Sequence, residues 1–105
     1  MADNVVPFRR PEPPRGRRAP LLREALGEVL RDERHRQART LKDVAADAGV
    51  STPYLSEIER GRKEASSELL ASISGALEVS LGEILIRAAL EVSPPGTVAE
   101  PVLAA

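Results

Sequence analysis

TLKDVAADAGVSTPYLSEIERGRK, residues 40–63, holds two short helical patterns three residues apart, and the spacing within it decides the fold. Thr40 precedes Leu41 and Asp43 follows three positions on, which is the arrangement of an N-cap hydroxyl with an acidic first-turn partner. The first pattern then covers about 41–48, and Gly49 stands where a helix closes on a left-handed residue. Ser51 caps the second pattern. Pro53 is tolerated in its first turn because the amide it lacks has no intrahelical partner there, and Gly61 stops it. Val44, Ala48, Val50, Leu55 and Ile58 form the apolar seam between the two. Helices joined by so short a turn can cross steeply only over a small residue, here Ala45, with Gly49 at positive φ.

Outside this stretch the hydrophobic period stays helical. Leu22, Ala25, Leu26, Val29 and Leu30 mark one face of a helix over about 21–37, and Pro20 suits its start. Ser66 caps a helix at about 67–78. Ser80 caps another at about 81–92, with Glu83 placed to complete a capping box. Strand patterns and internal repeats are absent. The expected class is all-α, five short helices in one domain over residues 21–92, with the helix-pair motif at 41–60. Residues 1–20 hold five of the nine prolines and five arginines, a composition that cannot bury enough surface to order itself, and read as a disordered basic arm. Residues 93–105, opening Ser93-Pro94-Pro95-Gly96, read as a flexible tail.

Composition narrows the chemistry. A chain of 105 residues is one small domain, and 42% apolar residues suffice for a core. Phe8 and Tyr54 are the only aromatics, so that core is aliphatic. The lack of cysteine excludes disulfides, thiolate metal sites and cysteine nucleophiles, and favours a reducing, cytoplasmic setting. No apolar run approaches a membrane span, and the start MADNVVPFRR has no signal-peptide core. There is no glycine-rich phosphate loop, no metal-ligand cluster and no Ser–His–Asp set. His35, the one histidine, sits on a charged helix end and reads as solvated. The expectation is therefore no enzyme, no catalytic residue, no metal and no cofactor.

Two short helices crossing over a three-residue turn form a helix-turn-helix, which projects the outer face of its second helix into a DNA major groove. An idle αα-hairpin has the same seam, so the solvent face separates the two readings. Thr52, Pro53, Ser56, Glu57 and Arg60 are short or hydrogen-bonding rather than a solubilising Lys/Glu mixture, and Arg62 and Lys63 follow within reach of phosphates.

The run TLKDVAADAGVSTPYLSEIERGRKEASSELLASISGALEVSL resembles the Cro/C1-type (XRE-type, lambda-repressor-like) helix-turn-helix domain, across nearly all of residues 22–90. Within it, YLSEIERGRKEASSELL is similar, more narrowly, to actinobacterial regulators of the Clp protease genes. The resemblance implies a dimeric, sequence-specific transcription factor, in the narrower case an activator of Clp protease and related proteostasis genes. An autoregulatory repressor and an antitoxin are the alternative functions of such a domain. By resemblance Ser51 to Arg60 is the recognition helix, with Thr52, Pro53, Ser56 and Glu57 at base edges. Thr40, Lys42, Ser51, Tyr54, Arg60, Arg62 and Lys63 fall to phosphates. Pro53 and Leu41 depart from the long polar residues common in the family, so its base code does not transfer. The family also has an ion pair at positions matching Arg34 and Glu59, which implies a structural role for Glu59.

The last helix, about 81–92, carries more apolar surface than one domain needs. Leu81, Ile84, Leu85 and Ala88 form a stripe that closes the core. Ile86, Ala89, Leu90 and Val92 form a second on another side, which argues for a symmetric homodimer reading an inverted-repeat operator in double-stranded DNA. The end, Val102-Leu103-Ala104-Ala105, is similar to tags that Clp proteases recognise, which makes Clp protease a candidate partner. RNA polymerase is another if the chain activates, and the nucleoid is the expected location. The net charge of −1 conceals a polarity: residues 1–63 carry net +4 and residues 64–105 net −5. The basic part contains the motif and the arm.

Overall fold

Five helices make up the regular structure of residues 20–92, the part that the computed structural model describes: α1 (Leu22–Arg36), α2 (Leu41–Ala48), α3 (Thr52–Glu59), α4 (Ser67–Leu77) and α5 (Leu81–Val92). No strand occurs among the described residues. The expected arm up to residue 19 lies outside them, as does the tail from residue 93 with its motif Val102 to Ala105.

Each helix start is set by a local hydrogen bond. Leu21 N–H donates to the Glu24 carboxylate at 2.9 Å, so α1 opens after Leu21 and Pro20 precedes the helix rather than entering it. Thr40 Oγ1 accepts from Asp43 N–H at 3.0 Å and Ser51 Oγ from Tyr54 N–H at 3.1 Å. Ser66 Oγ accepts from Leu69 N–H at 3.1 Å and Ser80 Oγ from Glu83 N–H at 3.0 Å. These hydroxyls satisfy amides that a helix start leaves without partners. The Glu83 carboxylate, expected to complete a box, accepts instead from Arg87 Nε at 2.9 Å. Gly49 closes α2 at φ +76, as its position demands. Ala38 and Glu78 also take positive φ, at +56 and +60, without any signal in their side chains.

The core is aliphatic throughout, built on Ala25, Val29, Leu30, Val44, Leu55, Ile58, Ile73, Leu77, Ile84 and Ala88, with the Tyr54 ring packed at its edge. Helix α1 lies against α3 and α5, α2 against α3 and α4, and α4 against α5. Two glycines set how α3 ends on α1. A Cβ at Gly27 would stand 2.3 Å from Ile58 O and 2.7 Å from Glu59 O, so the two backbones touch there. Gly61 turns the chain at φ +73, and its carbonyl accepts from Arg23 Nε at 2.9 Å. On α5, Ile84 and Ala88 are buried as expected, but Leu85 is 41% exposed. Leu85 therefore leaves the core stripe and joins Ile86, 60% exposed, and Leu90, 51% exposed, in one apolar surface.

Candidate nucleic-acid interface

The geometry of α2 and α3 follows from small residues at their junction. Ala45 is buried at the crossing, and its carbonyl accepts from Val50 N–H at 3.0 Å, which ties the turn back onto α2. Helix α3 then runs for eight residues with Leu55, Ile58 and Glu59 inward. Its other side carries the residues expected at base edges: Pro53 is exposed, while Thr52, Ser56 and Glu57 are half-buried. Thr52 and Ser56 lie one turn apart on one face, and Pro53, Glu57 and Arg60 share the adjoining one. Arg60 Nη1 stands 3.8 Å from Glu57, a loose surface pair that contributes little to stability.

The residues expected at phosphates line the same motif. Thr40 and Ser51 sit exposed at the N-termini of α2 and α3, their oxygens engaged as caps and their hydroxyl protons left to donate. Lys42, Arg62 and Lys63 are exposed and form no ion pair with a described residue; Tyr54 is half-buried. The acids of the motif are engaged elsewhere. Asp43 faces Thr40 N–H at 3.4 Å, and Asp47 pairs with Arg39 at 2.5 Å. Arg39 Nη1 also donates to Ala76 O, joining the turn before α2 to α4.

Arg34 and Glu59 meet in a bidentate pair. Nε donates to Oε2 at 2.8 Å and Nη2 to Oε1 at 2.9 Å, with the side chains 9% and 5% exposed. Arg34 Nη1 also donates to Arg39 O at 2.9 Å. The Glu59 hydrogen bonds raise the Arg34 pKa above its ordinary value. The pair forms part of the wall of a groove of about 430 Å³ between α1 and α3, lined also by Arg31, His35, Leu41, Ser56 and Arg60. Through this pair α1 holds the C-terminal end of α3.

Two positioning residues lie outside the sequence expectations. Glu33 is fully buried and accepts from Arg36, from Gln37 Nε2 at 2.8 Å and from Arg87 Nη1 at 2.8 Å. Arg36 draws its carboxyl down from 4.5 to about 2, against burial, and Arg87 and Gln37 add to the shift. Glu33 lies one turn from Val29 on the core face of α1, a signal that the apolar pattern alone passes over. Gly27 is the second, and only its approach to α3 shows why it is glycine. Among the described residues no group of His, Cys, Asp or Glu is arranged to hold a metal.

Comparison with known proteins gives this geometry a lineage. The helix-turn-helix family profile matches residues 30–84. The transcriptional regulator ClgR of Mycobacterium tuberculosis is 57% identical over 70 residues, which are 67% of this chain and 62% of that protein. The chain thus spans about six-tenths of the length of that curated relative. The crystal structure of the clp gene regulator ClgR from Corynebacterium glutamicum superposes with a TM-score of 0.69 at 50% identity, over 82% of this chain and 89% of that one. The restriction-modification controller protein C.Esp1396I, solved as a tetramer on its natural 35 base-pair operator, superposes with a TM-score of 0.61 at 28% identity, over 68% of this chain and 97% of that one. A buried seam across a Gly49 turn, a polar outer face on α3 and these likenesses lead to one assignment: the chain belongs to the helix-turn-helix regulators of the Cro/C1 (XRE) type, DNA-binding proteins of transcription rather than enzymes.

Proposed function

We propose that this chain is a homodimeric transcriptional activator of Clp protease and related proteostasis genes, acting in the cytoplasm on the nucleoid. The observation that carries the reading is the outer face of α3. Thr52, Pro53, Ser56 and Glu57 present short polar and apolar groups of the size that base edges accept, between the cap hydroxyls of Thr40 and Ser51 and the exposed cations Lys42, Arg62 and Lys63. Tyr54 and Arg60 complete the phosphate set. The choice of target genes rests on the likeness to the clp gene regulator, over the part of that protein the chain spans.

Dimerisation goes through α5. Ile86, Ala89 and Leu90 are exposed together, with Val92 half-buried beside them, more apolar surface than a monomeric helix leaves to water. Replacing Ile86 and Leu90 by Asp abolishes the dimer in sedimentation while helix content persists; an unchanged dimer refutes this face. Two copies place two α3 helices on half-sites about one DNA turn apart. RNA polymerase is the partner of an activator so placed. Turnover by Clp protease through Val102, Leu103, Ala104 and Ala105 belongs to the same proposal, and Ala104→Asp with Ala105→Asp lengthens the half-life in cells.

Mapping bound sites across the genome tests the whole. Enrichment upstream of protease genes, with transcription falling when the chain is deleted, supports the proposal. Enrichment confined to its own promoter makes it an autoregulatory repressor, and a toxin gene beside its own makes it an antitoxin.

A further inference from the structure

We propose that Arg31 is a DNA-backbone contact contributed by α1, outside the helix-turn-helix motif; the proposal rests on the DNA-binding reading above. The first observation is electrostatic. Among the described residues, Arg23, Arg34, Arg36, Arg39, Arg60 and Arg87 are each ion-paired to a carboxylate. The described cations without such a partner are Arg31, Lys42, Arg62 and Lys63. Three of these four are among the four cations assigned to phosphates from the motif; the other, Arg60, is held only by its loose 3.8 Å pair with Glu57. Arg31 shares their condition although it lies ten residues before α2 begins.

The second observation is where Arg31 stands. It is exposed on the wall of the 430 Å³ groove, which it shares with His35 one turn on, Leu41 at the start of α2, and Ser56 and Arg60 on α3. The Arg34–Glu59 pair in that wall is neutral as a unit and Arg60 is partly offset by Glu57 at 3.8 Å, so Arg31 is the groove's uncompensated cation. Ser56 and Arg60 belong to the face read as DNA-facing. A duplex seated on that face therefore brings one strand of its backbone along the groove and past Arg31. A guanidinium free of carboxylates breaks no ion pair on meeting a phosphate, and its planar donors match two phosphate oxygens. Arg31 thus fixes how α3 sits in the groove of DNA without reading a base.

The test measures binding of the 105-residue chain, by fluorescence anisotropy, to a duplex that the chain selects from a random-sequence pool. Arg31→Gln lowers the log–log salt slope by about 0.9 for each Arg31 in the complex, so the affinity lost between 50 and 200 mM salt shrinks about 3.5-fold per copy. Base preference stays the same, and Arg31→Lys, which keeps the charge, retains the slope. An Arg31→Gln slope equal to that of the unaltered chain, while Arg62→Gln lowers it, overturns the proposal and leaves DNA binding standing. A slope lost in Arg31→Lys as well as Arg31→Gln also overturns it, because packing rather than charge is then responsible. An unaltered chain that selects no duplex overturns the DNA-binding reading itself.

Discussion

Glu59→Ala removes the carboxylate that accepts two hydrogen bonds from Arg34, and the structure allows the cost to be worked out. The variant leaves Nε and Nη2 of Arg34 without their partners at 2.8 and 2.9 Å, on a side chain only 9% exposed. Breaking a buried pair from one side costs about 3–5 kcal/mol, because the remaining charge is uncompensated. Two features move this case to the lower end. Nη1 keeps its bond to Arg39 O at 2.9 Å, and the groove beside the pair admits water to the freed guanidinium. The expected loss is about 3 kcal/mol. The described domain has 73 residues, residues 20–92, and at ~0.05–0.15 kcal/mol per residue its whole stability is roughly 4–11 kcal/mol. At ~4–8 °C per kcal/mol for a domain of this size, Tm falls by roughly 12–24 °C. Urea unfolding followed by circular dichroism measures the loss, and Arg34→Met with Glu59→Met supplies the control. An apolar pair of similar volume needs no compensation, so the double variant regains most of the stability. A Glu59→Ala chain that melts within a few degrees of the parent refutes the structural role. If that chain also fails to bind DNA, Glu59 belongs to the binding face.

Glu33 predicts an acid limb in stability. Its folded pKa, about 2, is below the ordinary 4.5, so its contribution is complete above pH 4.5 and is lost as pH falls through 2. At 1.36 kcal/mol per unit this amounts to about 3 kcal/mol; Glu33→Gln is less stable than the parent at neutral pH by up to that amount, and denaturant curves at decreasing pH show the difference shrinking toward zero. Gly27→Ala destabilises by about 1–3 kcal/mol despite the better helix propensity of alanine, because the new methyl meets Ile58 O and Glu59 O and pushes α3 off α1. Gly49→Ala meets nothing within 4 Å and costs only its left-handed backbone, about 1–2 kcal/mol, with a smaller loss for Gly49→Asn. Ser74→Ala gains about 1 kcal/mol in the same melting assay, since Ser74 Oγ is buried with no hydrogen-bond partner among the described residues.

What the sequence determined by itself was local. The capping hydroxyls of Thr40, Ser51, Ser66 and Ser80 act on amides three residues away, and the turn at Gly49 needs only its own backbone freedom, so both are visible in a short window. The seam of α2 and α3 and the polar outer face of α3 were visible too, because a 3.6-residue period assigns each side chain a side before any partner is known. Tertiary structure decided whatever depends on elements far apart in the chain. Glu33 is an internal anchor because Arg87 arrives from 54 residues away on α5, and Gln37 bridges to Leu77 O across 40. Gly27 is constrained only by the carbonyls that end α3. Leu85 had the spacing of a core residue, yet α5 packs on α1 and α4 with Ile84 and Ala88 inward and leaves Leu85 exposed with Ile86 and Leu90, enlarging the apolar face. Charge followed the same division. A net charge of −1 says nothing about a binding face, and the sequence could show only that the basic residues lie toward residues 1–63. Which cations remain unpaired, Arg31 among them, was set by where folding brought the carboxylates.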